Sequence, residues 1–289
     1  MRIAAIIGVK DEAELIAPLI SHLSAIGVSR IVACDVASSD GTRDILRRFE
    51  GPGLEVVDVA NDESQEQWRQ RMADTIRQLD ADWVLPIDAD EFPLPQGGDL
   101  RPLLANADCD VLRLRRYNVV LGEAGLLMPL PCDAADYERV HLFAAAPAEF
   151  RDRLSSDPSL AWIRTVPKPK IAVRPGVVMS VADGVHDIVP VAGRAERRKT
   201  SSGIVLAHVA LSSYARFARK VENIREVFSL DQGTLSPAFG WHWRRWVELA
   251  DSGKLEAEFA NSQLGAGEID RFREAGTIRT ASEILAGGG

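Results

Sequence analysis

Apolar positions follow two alternating rhythms over the first ninety residues. Strand-like "RIAAIIGV" leads into a stretch where Leu15, Leu19 and Leu23 recur with Ile16 and Ile20 at helical spacing. "RIVACD", the amphipathic "TRDILRRFE", "LEVVDVA", a helical pattern from about Glu63 to Leu79, and "WVLPID" follow. Asp11 is placed to cap the first helix, with Glu14 three residues on and Gly27 as its stop. Pro18 inside the pattern predicts either a kink or a short turn followed by the main helix. Strands alternating with helices predict a parallel sheet with right-handed crossovers, whose ligands lie beyond the carboxyl ends of the strands. After Asp108, "CDVLRLRRYNVV", "WIRTVPKPKIAVRP", "GVVMSVADGVHDIV" and "GIVLAHVAL" read as strands between loops. From Ser212 the chain reads as helices. The pattern therefore predicts an α/β domain over residues 1–210 and a C-terminal helical extension over 211–289. Trp241, Trp243 and Trp246 of that extension are expected to pack on the core.

Composition narrows the partners. A chain of 289 residues can bury a sizeable core, and its net charge of -8 argues against a nucleic-acid partner. No run approaches the ~20 apolar residues of a membrane span, and "MRIAAIIGV" is too short and too poorly flanked for a signal peptide. Three scattered cysteines, Cys34, Cys109 and Cys132, suit a reducing compartment. A cytoplasmic protein is expected, with peripheral membrane contact and a homodimer left open.

Two motifs fall at the predicted ligand edge. In "WVLPIDADEF" an apolar strand ends in Asp88 and Asp90, followed by Glu91. In an extended backbone Asp88 and Asp90 face the same way, giving hard oxygen ligands for Mg²⁺ or Mn²⁺. The bland alternative is a solvated acidic turn; the buried strand before it and its place at the edge favour the cation. In "CDVASSDGT", Asp35 ends a strand and can accept hydrogen bonds from a nucleoside, while Asp40 or Ser39 can simply cap the next helix. His22 reads as structural, and His141 and His242 have no evident company. His186, between Asp183 and Asp187, and His208, at the end of "GIVLAH", are candidate third metal ligands. Lys168, Lys170, Arg174, Arg194, Arg197, Arg198 and Lys199 form a basic set. "GRAERRKTSSG" reads as a mobile loop, either solvated or a lid over a diphosphate. P-loop, dinucleotide and serine-hydrolase fingerprints are absent.

Together, "KDEAELIAPLISHLSAIGVSRIVACDVASSDGT" and "DWVLPIDADEF" resemble the opening and the Asp-x-Asp motif of family 2 glycosyltransferases. "KPKIAVRP", "GVH" and "HVALSSYARFARK" are similar to a bacterial glycosyltransferase-like subgroup. The resemblance spans roughly Arg2 to Lys220. It implies a GT-A (nucleotide-diphospho-sugar transferase) fold, a Rossmann-like mixed sheet flanked by helices. It also implies Mn²⁺- or Mg²⁺-dependent, inverting transfer of a sugar from a nucleotide donor, UDP first, to a glycan, glycolipid or other hydroxyl acceptor. Carried over, Lys10, Glu12, Asp35, Asp40, Arg71, Asp88 and Lys199 would contact the donor. Asp88 and Asp90 would bind the metal with His186 or His208, and Asp183 or Asp187 would be the base. Many relatives carry Asp or Asn where this chain has Val36, which bears on the uracil contact. Two other readings compete: a sugar nucleotidyltransferase, which would want a Gly-rich basic loop after the first strand, and a degenerate transferase retained as a binding or assembly module.

Overall fold

The structure is a computed structural model describing residues 1–146, 149–157, 160–230 and 240–287. Its strands are β1 (Ile3–Val9), β2 (Arg30–Val36), β3 (Leu54–Val59), β4 (Trp83–Asp88), β5 (Glu91–Pro95), β6 (Val111–Asn118), β7 (Leu121–Gly122), β8 (Gly125–Leu126), β9 (His141–Phe143), β10 (Lys170–Val173), β11 (Val178–Val181), β12 (Ile188–Pro190), β13 (Arg198–His208), β14 (Gln263–Leu264) and β15 (Ile278–Thr280). Its helices are α1 (Ile16–Ala25), α2 (Thr42–Phe49), α3 (Gln65–Gln78), α4 (Leu100–Ala105), α5 (Phe150–Ser156), α6 (Tyr214–Leu230), α7 (Trp241–Asp251), α8 (Leu255–Ser262), α9 (Ala266–Glu274) and α10 (Ala281–Ala286).

Eight strands form one mixed sheet in the order β3-β2-β1-β4-β10-β6-β13-β5. The first four are parallel, as the alternation of strand and helix predicts. β10 runs antiparallel between β4 and β6, and β13 lies parallel to β6 and antiparallel to β5. β1 is buried almost throughout, the continuous apolar run expected of a strand covered on both faces. The predicted α/β architecture, a mixed sheet flanked by helices, is the one observed.

Local chemistry explains several element boundaries. α1 starts at Ile16, so Pro18 sits in the first turn, where a missing N–H breaks no helical hydrogen bond; the short turn, not the kink, is realised. Gly27, at φ 96°, supplies the stop. Ser64 and Gln67 form a capping box that opens α3. Asp11 does not cap α1, because its carboxylate is used elsewhere.

One sequence expectation changes. Residues 193–197 precede β13, but Arg198 already belongs to it, and the basic residues are held. Arg194 donates to the Gly176 carbonyl at 2.6 Å, Arg197 pairs with Asp108, and Arg198 pairs with Asp187. The polar run of "GRAERRKTSSG" continues as strand because its backbone pairs with β6. Residues on both sides of position 210 share a core. One buried cluster joins Val120, Leu121, Phe143 and Trp162 to Phe217, Val221 and Trp246, and β14 and β15 of the extension pair with β7 and β9. Trp246 is buried, while Trp241 and Trp243 pack on this cluster half-buried. Among the described residues no helix is long and apolar enough to cross a membrane.

Candidate functional site

The carboxyl edge of the parallel strands gathers the acidic motifs. Asp35 ends β2 opposite Val9 of β1, and Asp88 ends β4 opposite Gly8 of the same strand. Two interstrand steps put their backbones roughly 10 Å apart along the edge. Between them Gly8 makes room for an aromatic ring: a Cβ there would lie 2.8 Å from Cζ2 of Trp68, on α3. Asp35 is almost fully buried, yet its Oδ1 has no hydrogen-bond partner; the nearest cation, Arg43, is 3.8 Å from Oδ2. A buried acceptor without a donor costs free energy unless a ligand supplies one.

The two opening motifs are zipped together. Asp11, at φ 54°, accepts through Oδ1 from the Ser39 and Asp40 amides at 2.6 and 3.2 Å, and through Oδ2 from Asn223 at 3.0 Å. Asp40 accepts from the Ala13 amide and from the amide and hydroxyl of Thr42. Burial raises the Asp40 carboxyl, but these hydrogen bonds bring it below the usual range. Asp40 therefore acts here as a latch at the start of α2, the structural role that its sequence position allowed.

The chain turns at Ala89–Asp90 between β4 and β5, so Asp88 and Asp90 do not share one set of partners as an extended backbone would give. Asp88 Oδ2 accepts from Lys170 Nζ at 2.9 Å, while 55% of its side chain stays open. Lys170, itself buried, also lies 3.5 Å from the fully buried Glu91, which pairs with Arg116 and accepts from the Asp88 amide at 3.0 Å. Desolvation raises the Asp88 carboxyl, but the charge and hydrogen bond of Lys170, with the charge of Arg116, together bring it below the usual range.

Asp90 is buried against α6. Its Oδ2 lies 2.5 Å from Lys220 Nζ, 3.2 Å from Arg216 Nη2 and 3.5 Å from His208 Nε2. Burial opposes its charge, but Lys220 and Arg216 hold it well below the usual carboxylate range. Arg216 is buried too. It forks onto Glu12 at 2.6 and 2.9 Å and donates to the Val209 and Ala210 carbonyls. Glu12, Asp88, Asp90 and Glu91 thus face Arg116, Lys170, Arg216 and Lys220, four carboxylates matched by four cations.

His208 shows what the Asp90 side can hold. Asn118 donates its amide to the Ile163 and Thr165 carbonyls, so its Oδ1 is the atom that accepts from His208 Nδ1 at 2.7 Å. That fixes the tautomer and leaves the Nε2 lone pair facing Asp90. Burial keeps this imidazole neutral, lowering it against the pull of Asp90. A carboxylate oxygen and an imidazole lone pair facing each other fit a divalent cation, with Asn118 as the outer partner that orients the ring. Among the described residues no three His, Cys, Asp or Glu gather closely enough to hold a metal by themselves. Mg²⁺ sites commonly need only one or two carboxylates when substrate phosphates and water complete the shell.

The remaining candidates lie outside this pairing network, although His186 is near enough to Lys170, Arg116 and Asp88 to feel their charges. His186 Nδ1 hydrogen-bonds to the Pro169 carbonyl at 2.9 Å, and burial with the charge of Lys170 lowers its ring to about 4. It makes no hydrogen bond or ion pair to Asp88 or Asp90. Asp187 is engaged by Arg198, by Arg113 at 3.4 Å and by the Ile188 amide. Asp183 pairs with Arg69 of α3 and is half exposed. Lys10 pairs with Glu226 of α6 at 2.6 Å, and Arg71 is taken by Glu63. Lys199 lies at the far end of β13, nine residues before His208. Lys199 pairs with Leu112 and His208 with Asn118, six residues apart on β6, so at ~3.3 Å per residue it stands roughly 20 Å from His208. Arg116, Asn118, Arg216 and Lys220 were not singled out from sequence. The i, i+4 spacing of Arg216 and Lys220 on an amphipathic helix just after His208 was the available signal.

His242 does have company: its ring stacks on Trp162 at 4.4 Å and 11°, and Trp162 also meets His208 edge-on. Burial lowers His22, His186, His208 and His242 together, His242 to about 3. Each binds a proton more readily unfolded than folded. Stability present above the ordinary histidine value of 6.5 should therefore fall as pH drops toward 4, by about 1.4 kcal/mol per pH unit per histidine. Urea midpoints at pH 7 and pH 5 check this; equal midpoints would contradict it.

No protein-family model matches the chain, and no curated protein matches it. Among solved structures, it is similar to S. aureus TarS 1–349 in complex with UDP-GlcNAc. Identity is 15% over 91% of this chain and 80% of that one, with a TM-score of 0.41. It is also similar to glucosyl-3-phosphoglycerate synthase from Mycobacterium tuberculosis in complex with Mn²⁺, UDP and phosphoglyceric acid, at 14% over 79% and 78% and a TM-score of 0.36. HddC from Yersinia pseudotuberculosis is similar at 9% identity, with a TM-score of 0.37, over 76% of this chain and 97% of that one.

Proposed function

We propose that the chain is a glycosyltransferase of the GT-A kind, moving a sugar from a nucleotide-diphospho-sugar, UDP-sugar first, to a hydroxyl acceptor on a glycan or glycolipid. The observation that carries this reading is a juxtaposition at one sheet edge. A buried aspartate with an orphaned oxygen, Asp35, shares the edge with an Asp90–His208 pair shaped for a cation, β1 lying between β2 and β4. A nucleoside is the ligand class that can donate N–H or O–H to Asp35 while its diphosphate lies along the edge toward Asp88 and Asp90. A divalent metal held by Asp90 and His208 would neutralise the diphosphate and favour its departure. Lys170 holds Asp88 in place, and Arg216 does the same for Asp90.

In an inverting transfer the acceptor hydroxyl gives its proton to a carboxylate as its oxygen bonds to the sugar carbon, and the bond from that carbon to the diphosphate breaks. We assign the base to Asp183: it is half exposed, whereas Asp187 is held in a three-way network. Asp183→Asn should abolish UDP release from the correct UDP-sugar and acceptor while titrated UDP still binds; undiminished turnover would remove Asp183 from the role. Asp35→Ala should weaken UDP binding about tenfold or more, the worth of one charged hydrogen bond. Unchanged affinity would show that the nucleoside lies elsewhere.

A further inference from the structure

Three nitrogens converge on a single oxygen, Asp90 Oδ2: Lys220 at 2.5 Å, Arg216 at 3.2 Å and His208 at 3.5 Å. They are held very differently. Arg216 is fixed by Glu12 and two backbone carbonyls, and His208 by Asn118. Among the described residues Lys220 has Asp90 as its one hydrogen-bond partner, and 21% of its side chain reaches the surface of α6. An ammonium carries three donors on a flexible stem, so it can leave without breaking any other contact. It neutralises the carboxylate oxygen that faces the His208 lone pair, which is where a cation shared by Asp90 and His208 would bind.

The charge balance bears on what may enter. Four carboxylates already meet four cations, so a free divalent ion replacing one ammonium would leave a net positive charge in a neutral, mostly buried cluster, which is unfavourable. A metal arriving with a diphosphate brings its own negative charge, and the diphosphate offers the displaced ammonium a new partner. We propose that Lys220 is a built-in competitor for the divalent cation, occupying its position on Asp90 and yielding it to a metal–diphosphate pair but not to the metal alone. The proposal rests on the donor-site reading only for the identity of the anion.

The test is titration of the full chain with Mn²⁺ in the absence of nucleotide, read by calorimetry or by the electron paramagnetic resonance of the free ion. Wild type should bind Mn²⁺ weakly. Lys220→Met should bind it at least tenfold tighter, Lys220→Arg should stay weak, and the gain should vanish in Lys220→Met/Asp90→Asn. Lys220→Gln repeats the measurement should the methionine variant fail to fold. A folded Lys220→Met or Lys220→Gln that binds Mn²⁺ no better than wild type overturns the proposal. No nucleotide enters this titration, so a chain that binds no UDP leaves its result intact. Conversely, failure here leaves UDP binding untouched.

Discussion

Arg216→Met is expected to destabilise the protein by about 3–5 kcal/mol, a large share of the 5–15 kcal/mol of a typical domain. The guanidinium is buried, and it is the hydrogen-bonded partner of Glu12, itself buried. Removing it leaves a carboxylate with nothing to replace water. Burial raises the Glu12 carboxyl even with Arg216 present, and Arg216 is what restrains that rise. Without it the folded state holds the Glu12 proton to higher pH than the unfolded chain does, and stability falls as pH rises above the unfolded value near 4.5. The loss should accordingly be larger at pH 7 than at pH 5. Removing both partners, as in Glu12→Gln/Arg216→Met, should recover much of it, because no unpaired charge remains. Urea unfolding at the two pH values reads all three results. A loss below about 1 kcal/mol in the single variant would mean that Glu12 finds water or another cation.

Asp90→Asn is expected to act on function more than on folding. Arg216 keeps Glu12, and Lys220 can turn to solvent, so no charge is stranded. What disappears is the anionic oxygen that faces His208. Transfer from a UDP-sugar should drop by roughly 100-fold or more, the scale on which losing one preorganised electrostatic contact is felt. The melting temperature should move by only a few degrees. A variant that unfolds, or one that keeps full turnover, would each contradict this division of labour.

Much of this was legible because two signals are local. The alternation of apolar strands and helices fixes the parallel half of the sheet, and the register then brings Asp35 and Asp88 to one edge. The choice between a solvated acidic turn and a charged cluster was decided by what sits opposite. Glu91 is fully buried among Arg116 and Lys170, from strands far along the chain. Those partners were illegible because a residue paired across the sheet leaves no periodic trace near its mate. The turn at Ala89–Asp90 was hidden for a different reason: an Asp-x-Asp in a strand and one astride a turn have the same spacing. The basic loop misled by composition. Arg198 and Lys199 look like lid residues, yet pairing with β6 makes them strand and sends Lys199 to the far edge. The amphipathic helices of the extension were expected to pack on the core, but which residues they would meet was not legible. Their apolar faces complete a core begun by Val120, Phe143 and Trp162.

Calorimetric titration of UDP and GDP into the wild-type chain and Asp90→Ala, each with and without Mn²⁺, tests the central claim most directly. The account predicts that one nucleotide binds, that Mn²⁺ tightens its binding, and that the metal effect vanishes in Asp90→Ala. No binding of either nucleotide to folded, metal-replete wild type would contradict the donor site, and the carboxylates at the end of β4 would then stand as a self-neutralised structural cluster.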